Sequence, residues 1–438
     1  QQQQHQEGVV GGDKKSRAGS ILIYLKSMDD HAFPAAERII NDIGLAFKRD
    51  PQLKEFQMLP VTLNENRSPV HHENHSLGLE SWCVPHVYCY AYNLLMDIRQ
   101  QKRKREDAER INQLLVGALL LNPDVTVLWN MRRELTNLDP QFELHFTSVV
   151  LTRKPKSAEV FTYRKWLIKK MLTALPSDLA LVTSEIHVCQ LAAELYSNNY
   201  YAWNHRIWCL NQLPRESGSY ISFLIDEWIR THQWVSSHVS DHSGFQYRQH
   251  LLDRFVRLPP GGYNTVRKCT ADIERTSAWS LQMFLSPLDS QRDSQLTEIT
   301  KSILHEALDN RCEKLDSIPL GLILSELFFN TDLVLVFPGH EAIWYHRRFI
   351  LHVFQECVQS LENYSGKNNC HKDNNGVSLE KAKRMENVSD CLLQRLMRFE
   401  TVLYSRCKTD KDRQASYAEK HRAWLASIMK INLNLPLR

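Results

Sequence analysis

The chain has 438 residues, 43% of them hydrophobic and 24% charged, with a formal net charge of +4 from 54 basic and 50 acidic residues. This balance argues against nucleic acid or an anionic membrane as the main partner, and the apolar content is enough for a large buried core. The ten cysteines form no CxxC pair, which indicates free thiols in a reducing compartment, so we expect a cytoplasmic protein.

The region before residue 108 is predicted to lead into a helical array. Residues 1–30 open with a glutamine run and are interpreted as disordered or as a fragment boundary. The first predicted helix spans Ala35–Lys48. We interpret His71-His72-Glu-Asn-His75 as a polar loop rather than a metal site, because no fourth ligand at zinc spacing lies nearby. The run Lys102-Arg-Lys-Arg105 is compatible with a nuclear address or an RNA patch, but the acidic residues after it favour a solvated helix face.

Six short phrases, each with an arginine between bulky residues, recur along the rest of the chain. They begin at positions 129, 161, 203, 245, 344 and 419. Steps of 32 to 42 residues fit one helix, a turn and a second helix, so the repeat predicts stacked helical hairpins. The two longer steps predict insertions at about 256–300 and 360–390. The phrases are Trp129-Asn-Met-Arg132-Arg133, Phe161-Thr-Tyr-Arg164-Lys-Trp166, Trp203-Asn-His-Arg206-Ile-Trp208, Phe245-Gln-Tyr-Arg248-Gln-His250, Trp344-Tyr-His-Arg347-Arg-Phe349 and the degenerate Glu419-Lys-His-Arg422-Ala-Trp424.

The phrase predicts an inner helix that is packed on two sides. On a helical wheel Trp203 and Arg206 share one face, whereas His205 and Trp208 lie on the other. The arginine recurs in every unit while a substrate would touch only one or two, so a structural role is favoured over a cationic funnel for a diphosphate. The predicted core residues are Trp129, Arg132, Phe161, Arg164, Trp203, Arg206, Phe245, Arg248, Trp344, Arg347, Arg422 and Trp424.

The turn before each phrase is also patterned. A proline stands six residues ahead of the first aromatic residue in three units, where it is expected to end the preceding helix. A residue able to cap a helix follows four or five residues before the aromatic residue. The prolines are Pro123, Pro155 and Pro338, and the predicted caps are Asp124, Ser157, Asn199 and Asp241.

Residues 318–337 form the most apolar stretch of the chain. Glu326, Asn330 and Asp332 interrupt it and a Pro-Gly turn follows, so we predict a buried helix that leads into the Trp344 unit rather than a membrane span. Residues 431–438 are interpreted as a tail.

Three segments carry a family resemblance. Asn122-Pro-Asp before Trp-Asn-x-Arg-Arg, Asn199-Tyr-Tyr-Ala-Trp-Asn-His-Arg-Ile-Trp208 and His242-Ser-Gly-Phe-Gln-Tyr-Arg-Gln-His-Leu-Leu252 resemble the repeats of protein prenyltransferase α subunits. The resemblance covers roughly residues 32–430 and is strongest at 196–256. It implies an all-α fold, a right-handed α-solenoid of helical hairpins over 31–430, similar to a tetratricopeptide superhelix.

The resemblance also implies a function. The chain is expected to be the non-catalytic α subunit of a heterodimeric protein geranylgeranyltransferase that prenylates a protein substrate at a cysteine near its C-terminus. Zinc and geranylgeranyl diphosphate would belong to the partner, a prenyltransferase β subunit shared with the Rab geranylgeranyltransferase. No GxSxG, HExxH or phosphate-cradling loop is visible in this sequence, so we expect neither catalytic residues nor a metal in this chain.

Five residues at the turns are the candidates for facing the substrate. The resemblance implies that these turns line the β-subunit cleft. Many α subunits of the family carry a basic residue where this chain has Asn198, so a direct contribution to the leaving diphosphate is in doubt here. The candidates are Asn198, Tyr200, Tyr201, Asp241 and His242.

Two other classes of protein remain open on the sequence. The helical-hairpin period is compatible with a non-enzymatic scaffold of the tetratricopeptide type, although the regular 34-residue step is missing. An RNA-processing helical-repeat protein would also carry spaced aromatic residues, but it should be more basic along one face.

Overall fold

The protein is described by a computed structural model. The predicted disordered segment 1–30, the basic run 102–105 and residues 434–438 of the predicted tail lie outside the residues that it describes. The described residues are 34–61, 68–100, 107–174, 179–215, 217–286, 317–367, 377–408 and 413–433.

The described residues form two compact units. The N-terminal unit takes its residues from 1–178 and 187–205, and the C-terminal unit takes its residues from 179–186 and 206–438. Two helices cross this boundary and contribute residues to both units. The two units are therefore described one at a time.

The N-terminal unit begins with helix α1 (Ala36–Arg49), which confirms the helix predicted at Ala35–Lys48. Its residues Ile39, Ile43 and Phe47 are buried, as the spacing of an amphipathic helix requires. A small sheet follows. The later helices, of which the last two cross into the C-terminal unit, are α2 (Val84–Gln100), α3 (Ala108–Leu121), α4 (Thr126–Arg133), α5 (Pro140–Arg153), α6 (Ala158–Ala174), α7 (Leu179–Leu195) and α8 (Tyr200–Leu210).

The sheet has three strands, β1 (Glu55–Leu59), β2 (Val70–Glu73) and β3 (Ser76–Glu80), with β3 in the centre. Strand β3 pairs with β1 in parallel and with β2 antiparallel. Asn74 and His75 form the two-residue turn between β2 and β3, and both have positive φ angles, of 50° and 64°. Such a turn matches the twist of a hairpin.

This hairpin corrects the interpretation of residues 71–75 as a loop. His71 and His72 lie on β2, and only Asn74 and His75 form a turn. The histidines contact carboxylates: His72 Nε2 and His75 Nδ1 each lie 2.9 Å from an oxygen of Asp50. The hydrogen bonds from His72 are the main cause that lowers the pKa of Asp50 to about 2. The pairs join the hairpin to the end of α1.

The C-terminal unit continues the helical array. The predicted insertion at 256–300 contains two further helices up to residue 284, and its residues 287–300 lie outside the described residues. The predicted insertion at 360–390 falls on the end of one long helix and the start of the next. The helices are α9 (Gly218–Ser237), α10 (His242–Val256), α11 (Pro260–Cys269), α12 (Ala271–Phe284), α13 (Ser317–Val336), α14 (Glu341–Lys367), α15 (Val377–Lys408) and α16 (Arg413–Trp424), which a π-helical turn, Leu425–Met429, extends.

Helix α13 is the predicted buried helix. It is long and apolar enough to cross a membrane, yet 67% of its most apolar window is buried within the protein. Two of its polar residues are buried as well: Glu326 pairs with Arg248 of α10, and Asn330 donates to the carbonyl of Ile343, whereas Asp332 is exposed. A methyl group at Gly321 would lie 2.5 Å from the carbonyl oxygen of Ser277, so α12 packs directly on the α13 backbone. These contacts identify α13 as a core helix.

Consecutive helices pack as hairpins within each unit. Helix α5 packs on α6, α9 on α10 and α13 on α14. Three helices end two residues before the predicted stop signals Pro123, Pro155 and Pro338, as a proline requires. The structure thus confirms the predicted all-α fold of repeated helical hairpins and adds the small sheet to it.

Candidate functional site

Four of the phrase arginines each form a buried cluster with two other side chains. The cluster around Arg206 shows the geometry. Arg206 Nε and Nη2 donate to the two carboxylate oxygens of Glu227 at 2.7 and 2.9 Å. The hydroxyl of Tyr247 donates to Glu227 Oε2 at 2.6 Å. Arg206 and Glu227 are at most 3% exposed. A bidentate pair with a third donor satisfies the carboxylate away from water.

The same cluster occurs in the N-terminal unit. Arg132 donates through Nε and Nη2 to Glu143, with both distances 2.6 Å. The hydroxyl of Tyr163, from the next phrase along the chain, donates to Glu143 at 2.7 Å. All three side chains are buried. The two units therefore use one device to join a phrase helix to the helix after it.

Two further clusters use histidine where the first two use tyrosine. Arg248 and His346 contact Glu326, at 2.6 and 2.7 Å, and Arg347 contacts Glu400 at 2.6 Å. His421 Nε2 lies 2.9 Å from the same Glu400. A neutral imidazole has one N–H to donate, as a tyrosine hydroxyl has, which explains the exchange.

The pKa shifts support neutral histidines and ionised glutamates. Burial lowers the pKa of His346 and of His421 below the ordinary histidine value. Burial opposes the ionisation of Glu326 and Glu400, but the paired arginine and histidine outweigh it and bring each pKa to about 2. Burial also raises the pKa of Tyr247 well above its ordinary value. Each cluster is thus one ion pair with one neutral donor.

The remaining guanidinium nitrogen ties the arginine to the helix before it. Arg248 Nη1 donates to the carbonyl of Trp228 at 2.8 Å and to Thr231 on α9. Arg347 Nη1 donates to Asn330 and Thr331 on α13. Each arginine therefore joins three helices, and its charge is neutralised inside the fold.

The glutamates of these clusters were missed by the sequence analysis. The signal was their distance from the phrase, because Glu143, Glu227 and Glu326 each precede the clustered tyrosine or histidine by 20 residues. Glu185 precedes His205 by the same spacing in the sequence. A single glutamate in the helix before an arginine phrase is expected to be solvated. Only its recurrence at the same spacing indicates a buried partner.

The last phrase departs from the prediction. Arg422 was expected in the repeat core, but its side chain is 42% exposed and pairs with Glu419 one turn earlier on the same helix. The first position of this phrase is glutamate instead of an aromatic residue, so it offers a local partner in solvent. His421 occupies the buried position, and Trp424 is half-buried and stacks on it.

Two of the predicted caps are confirmed and one is wrong. Asn199 Oδ1 accepts from the N–H of Ala202, and Asp241 accepts from two N–H groups at the start of α10. Asp124 does not cap α4, because the capping position falls on Val125. Asp124 instead accepts a hydrogen bond from the Ser157 hydroxyl at 2.7 Å.

In the N-terminal unit, Asn198 lies on the turn between α7 and α8, and Tyr200 and Tyr201 are the first two residues of α8. Tyr200 is 50% exposed and Tyr201 is 37% exposed, and their rings meet edge to face. Asn198 has a φ of 53°, and its carbonyl accepts from the N–H of Tyr200. The apolar surface extends onto neighbouring residues, since Leu195 and Tyr196 are 57% and 45% exposed.

In the C-terminal unit, the two candidate residues have different surroundings. Asp241 is only 3% exposed, and besides capping α10 it accepts from the indole N–H of Trp234. His242 is exposed, and its ring lies 6.0 Å from that of Tyr345. Of these two, only His242 presents its side chain to solvent.

The turn before Trp344 repeats the geometry of the turn before Trp203. Gly339, which like Asn198 stands five residues ahead of the tryptophan, has a φ of 83°. The residues seven and eight positions ahead are again exposed and apolar, Phe337 at 37% and Val336 at 65%. Each unit therefore exposes apolar side chains at one such turn.

The buried clusters and paired helices define the class of the protein as an all-α helical-repeat protein. The family model of the protein prenyltransferase alpha subunit repeat matches residues 140–171, 182–213 and 323–354. Each match starts three residues before a glutamate, at Glu143, Glu185 and Glu326, and ends after the phrase arginine. The hairpin of α9 and α10 carries the same cluster outside these matches.

Curated relatives agree with the repeat match. The chain is 32% identical over 418 residues to human protein prenyltransferase alpha subunit repeat-containing protein 1, covering 90% of this chain and 96% of that protein. It is 32% identical to the zebrafish (Danio rerio) protein of the same name over 342 residues, 73% of this chain and 72% of that protein. Human geranylgeranyl transferase type-2 subunit alpha is 26% identical over 175 residues, 37% of this chain and 29% of that subunit. The chain belongs to the protein prenyltransferase alpha subunit repeat family.

Proposed function

We propose that this chain is the non-catalytic α subunit of a heterodimeric protein geranylgeranyltransferase in the cytoplasm. The proposal is supported by its family and by its similarity to the alpha subunit of a geranylgeranyl transferase. The β subunit, which we propose is the one shared with the Rab geranylgeranyltransferase, would hold zinc and geranylgeranyl diphosphate. The acceptor protein would supply a cysteine near its C-terminus.

The observation that carries the proposal is the exposed apolar turn between α7 and α8. Leu191, Leu195 and Tyr196 are 45%, 57% and 45% exposed, and these three side chains are the proposed contacts for the β subunit. Leucines four residues apart share one face of α7. Exposed apolar side chains grouped in this way are typical of a protein interface. Arg132, Arg206, Arg248 and Arg347, in contrast, are each paired with a buried glutamate in the core, so these four arginines are not available to bind a diphosphate.

The proposed chemistry places the reacting atoms in the partner. Zinc held by the partner would favour the thiolate form of the acceptor cysteine, whose sulfur would form a bond to the first carbon of the isoprenoid as the carbon–oxygen bond to diphosphate breaks. This chain would hold the β subunit and present the acceptor. Tyr200, Tyr201 and His242 are the exposed candidates for contacting that acceptor.

Co-purification with the β subunit tests the assignment. When the full-length chain is expressed with a prenyltransferase β subunit, the two should elute together and transfer labelled geranylgeranyl to an acceptor. The chain expressed alone should show no transfer. Leu195→Glu should weaken the complex because it places a charge in the apolar surface. Leu45→Glu is the matched control, since Leu45 is 42% exposed on α1.

A second experiment separates acceptor choice from β binding. The double variant Tyr200→Ala, His242→Ala should still bind the β subunit but should lose acceptor prenylation. Unchanged transfer would remove these residues from the acceptor surface. Failure to recover any β subunit with the wild-type chain would instead favour a non-enzymatic helical-repeat scaffold, which the same exposed surface also fits. An RNA-processing repeat is less favoured, because four of the phrase arginines, Arg132, Arg206, Arg248 and Arg347, are already paired with buried glutamates.

A further inference from the structure

A cavity of about 310 Å³ lies in the C-terminal unit between α14 and α16. Its volume is at the lower end of the range for ligand pockets. It is independent of the glutamate clusters, whose side chains do not line it. The lining side chains are Glu341, Trp344, Tyr345 and Arg348 from α14 and Tyr417 and Lys420 from α16.

Two cations that line this cavity have no carboxylate partner among the residues that the structure describes. Arg348 is half-buried, and its Nε is shielded from water but has no hydrogen-bond partner in the described part of the chain. Its guanidinium lies 5.2 Å from the Tyr345 ring, and Lys420 Nζ lies 5.3 Å from the Tyr417 ring. The adjacent Arg347, in contrast, is fully paired with Glu400. A shielded guanidinium donor without an acceptor is costly to leave unmatched.

The aromatic side chains supply an apolar wall with polar edges. Trp344 is 2% exposed, and its indole N–H points to Gln414 at 3.4 Å, which leaves the ring as a wall. The hydroxyls of Tyr345 and Tyr417 make no hydrogen bond to any residue that the structure describes. Tyr345 also contacts His242, so the cavity adjoins the turn before α10.

We propose that this cavity binds an anionic group carried on a short apolar stem, either a carboxylate or a phosphate monoester. Arg348 and Lys420 would hold the anion through charge-assisted hydrogen bonds, which are the stronger kind. The rings of Trp344, Tyr345 and Tyr417 would pack against the stem. Glu341, an acidic residue of the lining, would limit the affinity by repelling the anion.

Binding of small probes to the full-length chain tests this proposal. Phenyl phosphate and phenylacetate carry the two anions on the same ring, benzyl alcohol is a neutral ligand of similar shape, and inorganic phosphate lacks the stem. Calorimetry or ligand-observed NMR should show that a phenyl anion binds roughly tenfold or more tightly than benzyl alcohol, as expected for a hydrogen bond to a charged group. The tighter of the two phenyl anions identifies the chemistry of the natural group.

Substitutions of opposite sign make the result specific to the cavity. Arg348→Gln and Lys420→Gln should each weaken the anion, whereas Glu341→Gln should strengthen it. Arg413→Gln is the matched control for Lys420→Gln, because Arg413 is exposed on α16, the helix of Lys420, but does not line the cavity. Circular dichroism melting would verify that each variant is folded. Equal binding of benzyl alcohol and the phenyl anions, no binding at millimolar concentration, or no change in the Arg348→Gln variant would overturn the proposal.

Discussion

The glutamate clusters and the turns between helices follow different rules. In both units a cluster consists of an arginine, a glutamate and a neutral donor. The neutral donor is a tyrosine in two clusters and a histidine in the other two. The turns share a length but differ at the surface, because among the interhelical turns that the structure describes in full, those before Trp203 and Trp344 combine a positive φ with exposed apolar residues. The comparison teaches that the repeat fixes how helices are joined and leaves recognition to individual turns.

The largest expected effect comes from removing a core tryptophan. Trp203 is 2% exposed, so Trp203→Ala should destabilise the protein by about 3 to 5 kcal/mol through the lost burial and the cavity left behind. Trp279→Ala is the control, since Trp279 is 56% exposed. Urea unfolding of the two variants measures the difference. Similar midpoints would refute the packing of the phrase helix on two sides.

Removing a cluster arginine should cost nearly as much. Arg248→Ala leaves Glu326 buried with only a histidine partner, and breaking such a pair costs about 3 to 5 kcal/mol. Arg422→Ala changes the same phrase position where the arginine is exposed and pairs locally, so it should cost at most about 1 kcal/mol. A loss of stability in Arg422→Ala equal to that in Arg248→Ala would erase the distinction between buried and exposed arginines.

The histidine clusters should make stability depend on pH. Burial lowers the folded-state pKa of His346 and His421, so their contribution is complete above the unfolded value of about 6.5 and is lost as the pH falls below it. The lowered pKa of Glu326 adds a second loss from about pH 4.5 towards 2. Thermal unfolding from pH 7 to 2 measures both.

A variant without these imidazoles isolates the histidine part of that profile. His346→Gln with His421→Gln retains a donor for each glutamate but cannot titrate, so its melting temperature should fall less between pH 6.5 and 5 than that of the wild type. His352→Gln, whose side chain is 56% exposed, should keep the wild-type profile. Identical slopes in all three proteins would contradict the assignment of neutral, buried histidines.

The turns should respond only weakly to substitution of their backbone positions. Gly339 has a φ of 83°, and a Cβ added there would make an ordinary 3.8 Å contact with Cβ of Arg413, so Gly339→Ala should cost about 1 to 2 kcal/mol from backbone strain alone. Gly261, on α11, has open space at its Cβ position and no positive φ, and Gly261→Ala should stabilise by about 0.5 to 1 kcal/mol. Shifts of the same sign in the two variants would show that strain is not the determining factor.

Much of the fold could be predicted from the phrases, because they contain large apolar residues and recur at intervals that fit a helical hairpin. The first helix, the core helix α13 and the helix ends before prolines were all predictable, since burial and the missing proline N–H act locally. The β2–β3 hairpin was missed because its strands are short and its turn is Asn-His rather than the more usual Asn-Gly. The sequence of residues 71–75 looks polar, and only the partner strands reveal it as a sheet edge.

The candidate site was less predictable than the fold. Asp241 was correctly expected to cap α10. Its carboxylate is buried and used by the cap, so a position in a turn did not imply an exposed side chain. Arg422 matched the phrase by residue type, but its environment depends on a first position that had changed to glutamate. The Glu227 partner of Arg206 could not be inferred from either helix alone, because an ion pair between helices depends on their packing.

The separation in sequence between cluster partners has a consequence for synthesis on the ribosome. Arg206 meets Glu227 only 21 residues later, whereas Arg248 meets Glu326 78 residues later, across α11 and α12. At the usual rate of translation, roughly 5 to 20 residues per second, the synthesis of Glu326 follows that of Arg248 by on the order of 4 to 16 s. During that interval α10 carries an unmatched charge on a face that must later be dehydrated. We expect the nascent chain to be most exposed to chaperones and proteases during this interval.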